Sequence, residues 1–308
     1  MAKKEKDLGF GVNYRRQTKR MINRDGSFNV VKLGQAFSVR DTYQVLLKMS
    51  WTRFTLIICT YLLAINTLFG FIFTLIGVEH IMGIELGSPL QNFAQSCYFS
   101  IQTFTTVGYG HLSPSGHLVS LIAALESIIG LASFAMMTSI IYGRFSKPSA
   151  RLIYSEHAII APYNGGKSLQ FRIANTRMSM LLELRATVAV QFTTKTDGKY
   201  HRHYEKLSLE RDNILFFPLN WTIVHPLDDS SPLNNFTGED YKDNKVEIIV
   251  HIKGFDDTFG QTVHSRYSYL PEEIVWGGKF EPAYETSVTG DIIFHMDQIH
   301  NYKPVNMN

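Results

Sequence analysis

Residues 54–143 form a stretch of ninety positions with no Lys, no Arg and no Asp, and their only acids are Glu79, Glu85 and Glu126. All 30 basic residues of the 308-residue chain therefore lie outside it. A stretch so poor in charge cannot make the surface of a soluble domain. It excludes a wholly cytosolic protein, a disordered one and a disulfide-stapled secreted one. The first 30 residues are polar and lack the apolar core of a cleavable signal peptide.

Two segments within it, 54–77 and 118–142, have the roughly 20 apolar residues that a bilayer crossing needs. Residues 1–53 carry 12 Lys/Arg against 4 Asp/Glu, and Arg144, Lys147 and Arg151 follow the second span. The connection between the spans has no Lys or Arg. The positive-inside rule then predicts a multi-pass protein of the cell (inner) membrane with both termini cytoplasmic. Cys59 and Cys97, the only cysteines, read as buried free thiols.

The connection is too long and too apolar for a turn. Residues 92–103 (NFAQSCYFSIQT) read as a helix too short to span, hence re-entrant, and Thr106-Val107-Gly108-Tyr109-Gly110 follows at once. Irregular backbone at membrane depth is tolerated only where protein or an aqueous cavity satisfies it. Span, short helix, TVGYG and span is the order a potassium pore requires. Rings of backbone carbonyls replace the hydration shell of K⁺, the Thr106 hydroxyl adds an inner ring, and Val107 and Tyr109 are expected to pack behind the filter. Gly108 and Gly110 supply backbone angles closed to other residues. One filter strand per chain implies a homotetramer, with K⁺ the only metal, at the filter. The competing reading is a membrane-anchored β-sandwich sensor that conducts nothing.

Residues 39–53 place Tyr43, Leu46, Leu47 and Trp51 on one helical face and read as a slide helix in the membrane interface. Beyond residue 143, β-branched alternation at 158–161, 169–174, 184–193, 214–217, 246–253 and 261–269, with turns at Asn164-Gly165-Gly166, Asp197-Gly198 and Asp228-Asp229-Ser230-Ser231-Pro232, predicts an all-β sandwich. The chain thus divides into an N-terminal segment 1–38, the slide helix 39–53, a pore domain 54–143 and a β domain 144–308. No cofactor, nucleic-acid or enzymatic motif is found. The 11 histidines show no metal-ligand spacing, and no dinucleotide-binding glycine motif favours a channel gated by a bound cytosolic ligand.

From about Gly34 onward the sequence resembles the inward-rectifier potassium channel family, most closely its prokaryotic (KirBac-type) branch. The residues that carry this are Met49-Ser50-Trp51, Tyr98-Phe99-Ser100-Ile101-Gln102-Thr103, Gly143-Arg144-Phe145-Ser146-Lys147-Pro148, Ile223-Val224-His225-Pro226-Leu227-Asp228 and Tyr269-Leu270-Pro271-Glu272-Glu273-Ile274-Val275-Trp276-Gly277. The resemblance implies an immunoglobulin-like cytoplasmic domain. It also implies a gate at Tyr142, which otherwise reads as an interfacial anchor, and a second constriction over residues 255–260, from Phe255 to Gly260. Gly130 allows either a bend or close helix packing. Phe134 stands where strong rectifiers carry an acid, and Gln102 where many members carry an acid behind the filter. Block by Mg²⁺ or polyamine is therefore expected to be weak, unless the vestibule acids Asp197 and Asp212, or Glu126 facing the cavity, compensate. Trp51, Arg53, Arg144, Lys147 and Arg151 are expected to meet anionic lipid or phosphoinositide headgroups.

Overall fold

A computed structural model describes residues 4–5, 9–11, 13–14, 19–31, 33–34, 39–146, 150–196 and 199–307. The chain separates into two compact units, residues 34–147 and residues 1–33 with 148–308. The N-terminal segment is thus not a body of its own, as the sequence suggested. It folds with the β domain.

The first unit is helical. Helix α1 is Val39–Lys48, α2 is Trp51–Ile76, α3 is Pro89–Phe104 and α4 is His117–Phe145. The slide helix stops short of the predicted residue 53. Ser50, in extended conformation, caps α2 by accepting from the Arg53 N–H, so Trp51 and Arg53 belong to the first turn of the span. Helix α3 begins three residues before its predicted start, at Pro89. Ser88 and Gln91 form a reciprocal capping box there, and Pro89 occupies the first turn, where its missing N–H costs nothing. At 16 residues α3 is about 24 Å long, still short of the ~30 Å hydrocarbon core.

Helices α2 and α4, of 26 and 29 residues, are both long and apolar enough to cross a membrane. Leu56, Leu63, Phe71 and Leu75 on α2, and Leu121, Ile128 and Leu131 on α4, are exposed. An exposed apolar surface of this extent excludes core helices of a soluble protein and suits lipid. The packed face of α4 is narrow: Val119, Ala123, Glu126, Gly130 and Ser133 are its buried residues, spaced four and three apart. Close approach also occurs at Gly70 of α2, where a Cβ would stand 2.5 Å from Cys97 Sγ. Both cysteines are free, but neither is fully buried; Cys59 is exposed.

The second unit is a β-sandwich. Its larger sheet has seven strands, with Lys199–Leu207, Leu181–Thr196, Glu247–Asp256 and Gln261–Tyr269 adjacent in that order. The smaller has five, running Asn220–Pro226, Gly166–Asn175, Ala158–Tyr163 and Ile274–Trp276, with Leu152–Tyr154 also beside Gly166–Asn175. Ile160, Phe171 and Ile173 from one sheet meet Val188, Val190, Ile248 and Val250 from the other in a single core. That is the inward-facing alternation of two stacked sheets. Asn164 and Gly165, both at positive φ, close the hairpin between Tyr163 and Gly166 as the sequence predicts. The Asp197-Gly198 turn lies outside the described residues.

The outer face of the large sheet is covered by the N-terminal segment. Met21 and Ile22 pack on Tyr204 and Ile249, and the Met21 N–H donates to both Glu247 carboxylate oxygens, at 2.8 and 3.1 Å. Arg20 and Arg24 both pair with Glu273.

Candidate functional site

The TVGYG segment is held from helix α3, which precedes it. The Gln102 carbonyl accepts from two filter amides, Val107 N–H at 3.0 Å and Gly108 N–H at 3.3 Å, while Thr106 N–H donates to Thr103 O. The Gln102 side chain reaches past the filter and donates to Leu112 O at 3.0 Å. One residue thus fixes both ends of the loop.

Within the loop, Thr106, Gly108 and Gly110 have φ of +59°, +53° and +82°, while Val107 and Tyr109 are not in that region. Residues of positive and negative φ therefore alternate. Such alternation turns successive carbonyls to one side, as an ion-lining strand requires. A Cβ on Gly108 or Gly110 would meet nothing within 4 Å. Within one chain, the glycines are needed for conformation and not for space. Thr106, a β-branched residue at positive φ, is the strained position.

Val107 and Tyr109 do not pack behind the filter within their own chain; they are 54% and 84% exposed. The pair Ile81–Met82 and Ser113–Pro114 forms a two-residue ladder between the end of α2 and the start of α4.

Two expected roles change. Glu126 does not face a cavity. It is fully buried and contacts Ser100 of α3, which in turn meets Asn66 of α2. Asn66 was missed in the sequence, because a single Asn in an apolar span has no pattern to mark it. Gly130 lies inside an unbroken helix, and a Cβ there would stand 2.0 Å from Phe104 O. It is a packing glycine where a hinge was one of two expectations. In the segment 255–260, the expected second constriction, Phe255 lies in the strand Glu247–Asp256, opposite Thr262, and a tight turn ending at Gly260 (φ +60°) joins it to the next strand.

Tyr142 is 72% exposed on α4, and Phe134 equally so. Helix α4 runs three residues past Tyr142, and Phe145 packs on Trp51 with ring centroids 5.1 Å apart.

Arg144 is engaged inside the helical unit. Its guanidinium donates to Leu46 O and, at 2.8 Å, to Met49 O, closing the C-terminal end of α1, and it lies over Trp51 and Phe54 at 4.4 and 4.5 Å. Of the five expected lipid contacts, the structure brings together Trp51 and Arg144. Arg53 is exposed near them in sequence, Arg151 belongs to the other unit, and Lys147 lies outside the described residues. Of the vestibule acids, Asp212 is exposed and Asp197 lies outside the described residues.

Comparison with known proteins matches residues 152–308 to the family described as "Inward rectifier potassium channel C-terminal domain" and residues 57–147 to that described as "Ion channel". The chain is 33% identical over 284 residues to the inward rectifier potassium channel Kirbac3.1 of Paramagnetospirillum magnetotacticum, covering 91% of this chain and 95% of that protein. It is 26% identical to the inward rectifier potassium channel irk-1 of Caenorhabditis elegans, covering 95% of this chain and 59% of that one. It is also 26% identical to the ATP-sensitive inward rectifier potassium channel 10 of Mus musculus, over 89% and 78% of the two chains. With apolar spans, a pore helix braced against a TVGYG loop and a β-sandwich of matching extent, the chain is a membrane protein of ion transport and not an enzyme, and it belongs to the inward rectifier potassium channel family.

Proposed function

We propose that four copies of this chain enclose a K⁺-selective pore whose filter is the segment from Thr106 to Gly110. The alternation of backbone hand at Thr106, Gly108 and Gly110, held by two bonds to the Gln102 carbonyl, is the observation that carries this reading. The exposed Val107 and Tyr109 support assembly, since a filter strand with no packing behind it needs neighbouring copies to hold its shape. Conduction is passive, with K⁺ as the permeant ion.

Tyr142, exposed near the end of α4, suits an inner constriction that closes by occlusion and dewetting. Phe255 and Gly260, at a tight hairpin end, suit a second one in the β domain. Phe134 offers no charge to Mg²⁺ or polyamines, so block from inside is weak and rests on the acids Asp197 and Asp212. Anionic lipid acts through Trp51, Arg53, Lys147 and Arg151. Arg144 contributes by holding α1 against the span more than by free contact with a phosphate. The charge distribution supports an inner-membrane protein with both termini cytoplasmic.

Purified protein in liposomes tests the reading through ⁸⁶Rb⁺ uptake. K⁺ and Rb⁺ should pass and Na⁺ should be largely excluded. Equal Na⁺ and K⁺ flux through wild-type protein would contradict the filter assignment.

A further inference from the structure

The conduction reading leaves one buried ionisable side chain of the pore unit unused. Glu126 of α4 is fully buried, its Oε1 lies 2.5 Å from Ser100 Oγ, and its Oε2 has no hydrogen-bond partner. Ser100 Oγ also lies 3.2 Å from Asn66 Oδ1. The amide orientation of Asn66 follows from its other contact: Nδ2 donates to Leu62 O at 2.7 Å, and a carbonyl can only accept. Asn66 Oδ1 is therefore an acceptor facing Ser100. The Ser100 hydroxyl has one hydrogen, yet it sits between that acceptor and Glu126. Two contacts need two hydrogens, and the second can come only from Glu126. With the hydrogen there, a single directed chain runs from Glu126 to Ser100, to Asn66 and to Leu62 O. An ionised carboxylate would instead leave two acceptors sharing one hydrogen and an orphaned anionic oxygen among three helices.

The same face of α4 touches the end of the pore helix at two more points. Ser127 Oγ lies 3.4 Å from Thr103 O, and Gly130 abuts Phe104 O. Residues 126, 127 and 130 thus meet residues 100, 103 and 104, directly before the filter.

We propose that Glu126 is a positioning residue for ion selection, acting as a neutral carboxylic acid that fixes the pore helix, through Ser100, between the two spans. The inference rests on the conduction reading, which wild-type flux tests separately.

The experiment compares Glu126→Gln, Glu126→Leu and Ser100→Ala tetramers in liposomes, reading Na⁺ permeability relative to K⁺. Gln keeps the length and a donor and should behave like wild type. The Leu and Ala variants remove the chain of hydrogen bonds and should raise relative Na⁺ permeability about tenfold, the scale of one buried hydrogen bond lost. A merely structural contact would lower tetramer yield and leave the permeability ratio unchanged. Wild-type selectivity in assembled Leu tetramers, or in Ser100→Ala should the Leu variant fail to assemble, overturns the proposal. So does a Gln variant as defective as Leu, since it would show that the ionised form is the one required. An infrared difference spectrum of wild type minus Glu126→Gln, independent of flux, should show the C=O band of a protonated carboxyl; carboxylate bands in its place also overturn it.

Discussion

Replacing Gly130 with Ala separates its two candidate roles, and the structure sets the scale. An alanine Cβ would stand 2.0 Å from Phe104 O, 2.9 Å from its carbonyl carbon and 3.2 Å from its Cα. All three atoms are backbone, at the end of the pore helix and two residues before Thr106. Relief at ordinary van der Waals separation needs a shift of more than about 1 Å between α4 and α3. Alanine favours a helix over glycine by about 1 kcal/mol, whereas overpacking a rigid contact costs about 1–3 kcal/mol, and here no side-chain rotation can relieve it. The balance is destabilising, and the strain falls on the filter's support. Gly143→Ala on the same helix is the control. Its Cβ would meet the Tyr43 hydroxyl at 2.9 Å and a Leu47 methyl at 3.2 Å, both side-chain tips that can move. Gly143→Ala should assemble and select like wild type. Gly130→Ala should lose tetramers on a mild-detergent gel, or admit Na⁺ in a liposome ⁸⁶Rb⁺ assay. A Gly130→Ala channel with full assembly and wild-type selectivity, changed only in the fraction of time open, would refute the packing argument and restore the hinge.

Tyr142→Ala should raise resting ⁸⁶Rb⁺ flux per assembled channel; lower assembly at unchanged flux would identify an interfacial anchor instead. Arg144→Gln removes the charge that sits over Trp51 and Phe54 and weakens two bonds to the end of α1, so it should lower thermal stability as well as the response to anionic lipid. An Arg53→Gln, Arg151→Gln pair, whose side chains hold no such bonds, should change the lipid response alone, read as flux against the fraction of anionic lipid. In the β domain, burial holds His225 below the usual histidine range, and its ring nitrogens are taken by Ser208 O at 2.6 Å and Ser231 Oγ at 2.8 Å. Ser208 O can only accept, so Nδ1 carries the hydrogen and Nε2 accepts from Ser231. Because the folded value lies below the unfolded one, stability is present above about pH 6.5 and is lost as pH falls toward the folded value. Melts followed by tryptophan fluorescence from pH 7.5 to 5 should fall more steeply for wild type than for His225→Asn, and parallel slopes would refute the assignment.

What the sequence made legible is what repeats or carries a motif. The spans show as runs of apolar residues, the filter as TVGYG between them, and the strands from Leu181–Thr196 to Gln261–Tyr269 mostly as β-branched alternation. Lys199–Leu207 (KYHRHYEKL) is a strand that this test misses. Arg202 and Tyr204 share its outer face, where the long Arg202 side chain is buried against Met21, so a polar residue occupies a place where an apolar one would have marked the face. The register comes instead from the partner strand, through pairs such as Val188–Leu207 and Gln191–Tyr204. Residues 19–31 likewise read as a polar tail, because Met21 and Ile22 are only two apolar residues and the sheet face they cover is formed by strands more than 180 residues away.

The candidate site was legible in part for the same reason. Glu126 and Gly130 stand out as anomalies in an apolar helix, and Gln102 by the resemblance alone, but such a signal shows where a constraint lies and not in which direction it acts. Each has its meaning fixed by one contact outside its own helix: Leu112 O for Gln102, Ser100 for Glu126, Phe104 O for Gly130. Two of the three contacts belong to α3, and the third spans the loop that α3 feeds. An acid in α4 therefore reads as a cavity charge until Ser100 is set against it, and a glycine reads as a hinge until a carbonyl fills the space its side chain would occupy. The filter's own glycines differ in kind, since no neighbour within 4 Å excludes a Cβ at Gly108 or Gly110. Their constraint is local φ, and a local constraint is the kind that a sequence motif can carry alone.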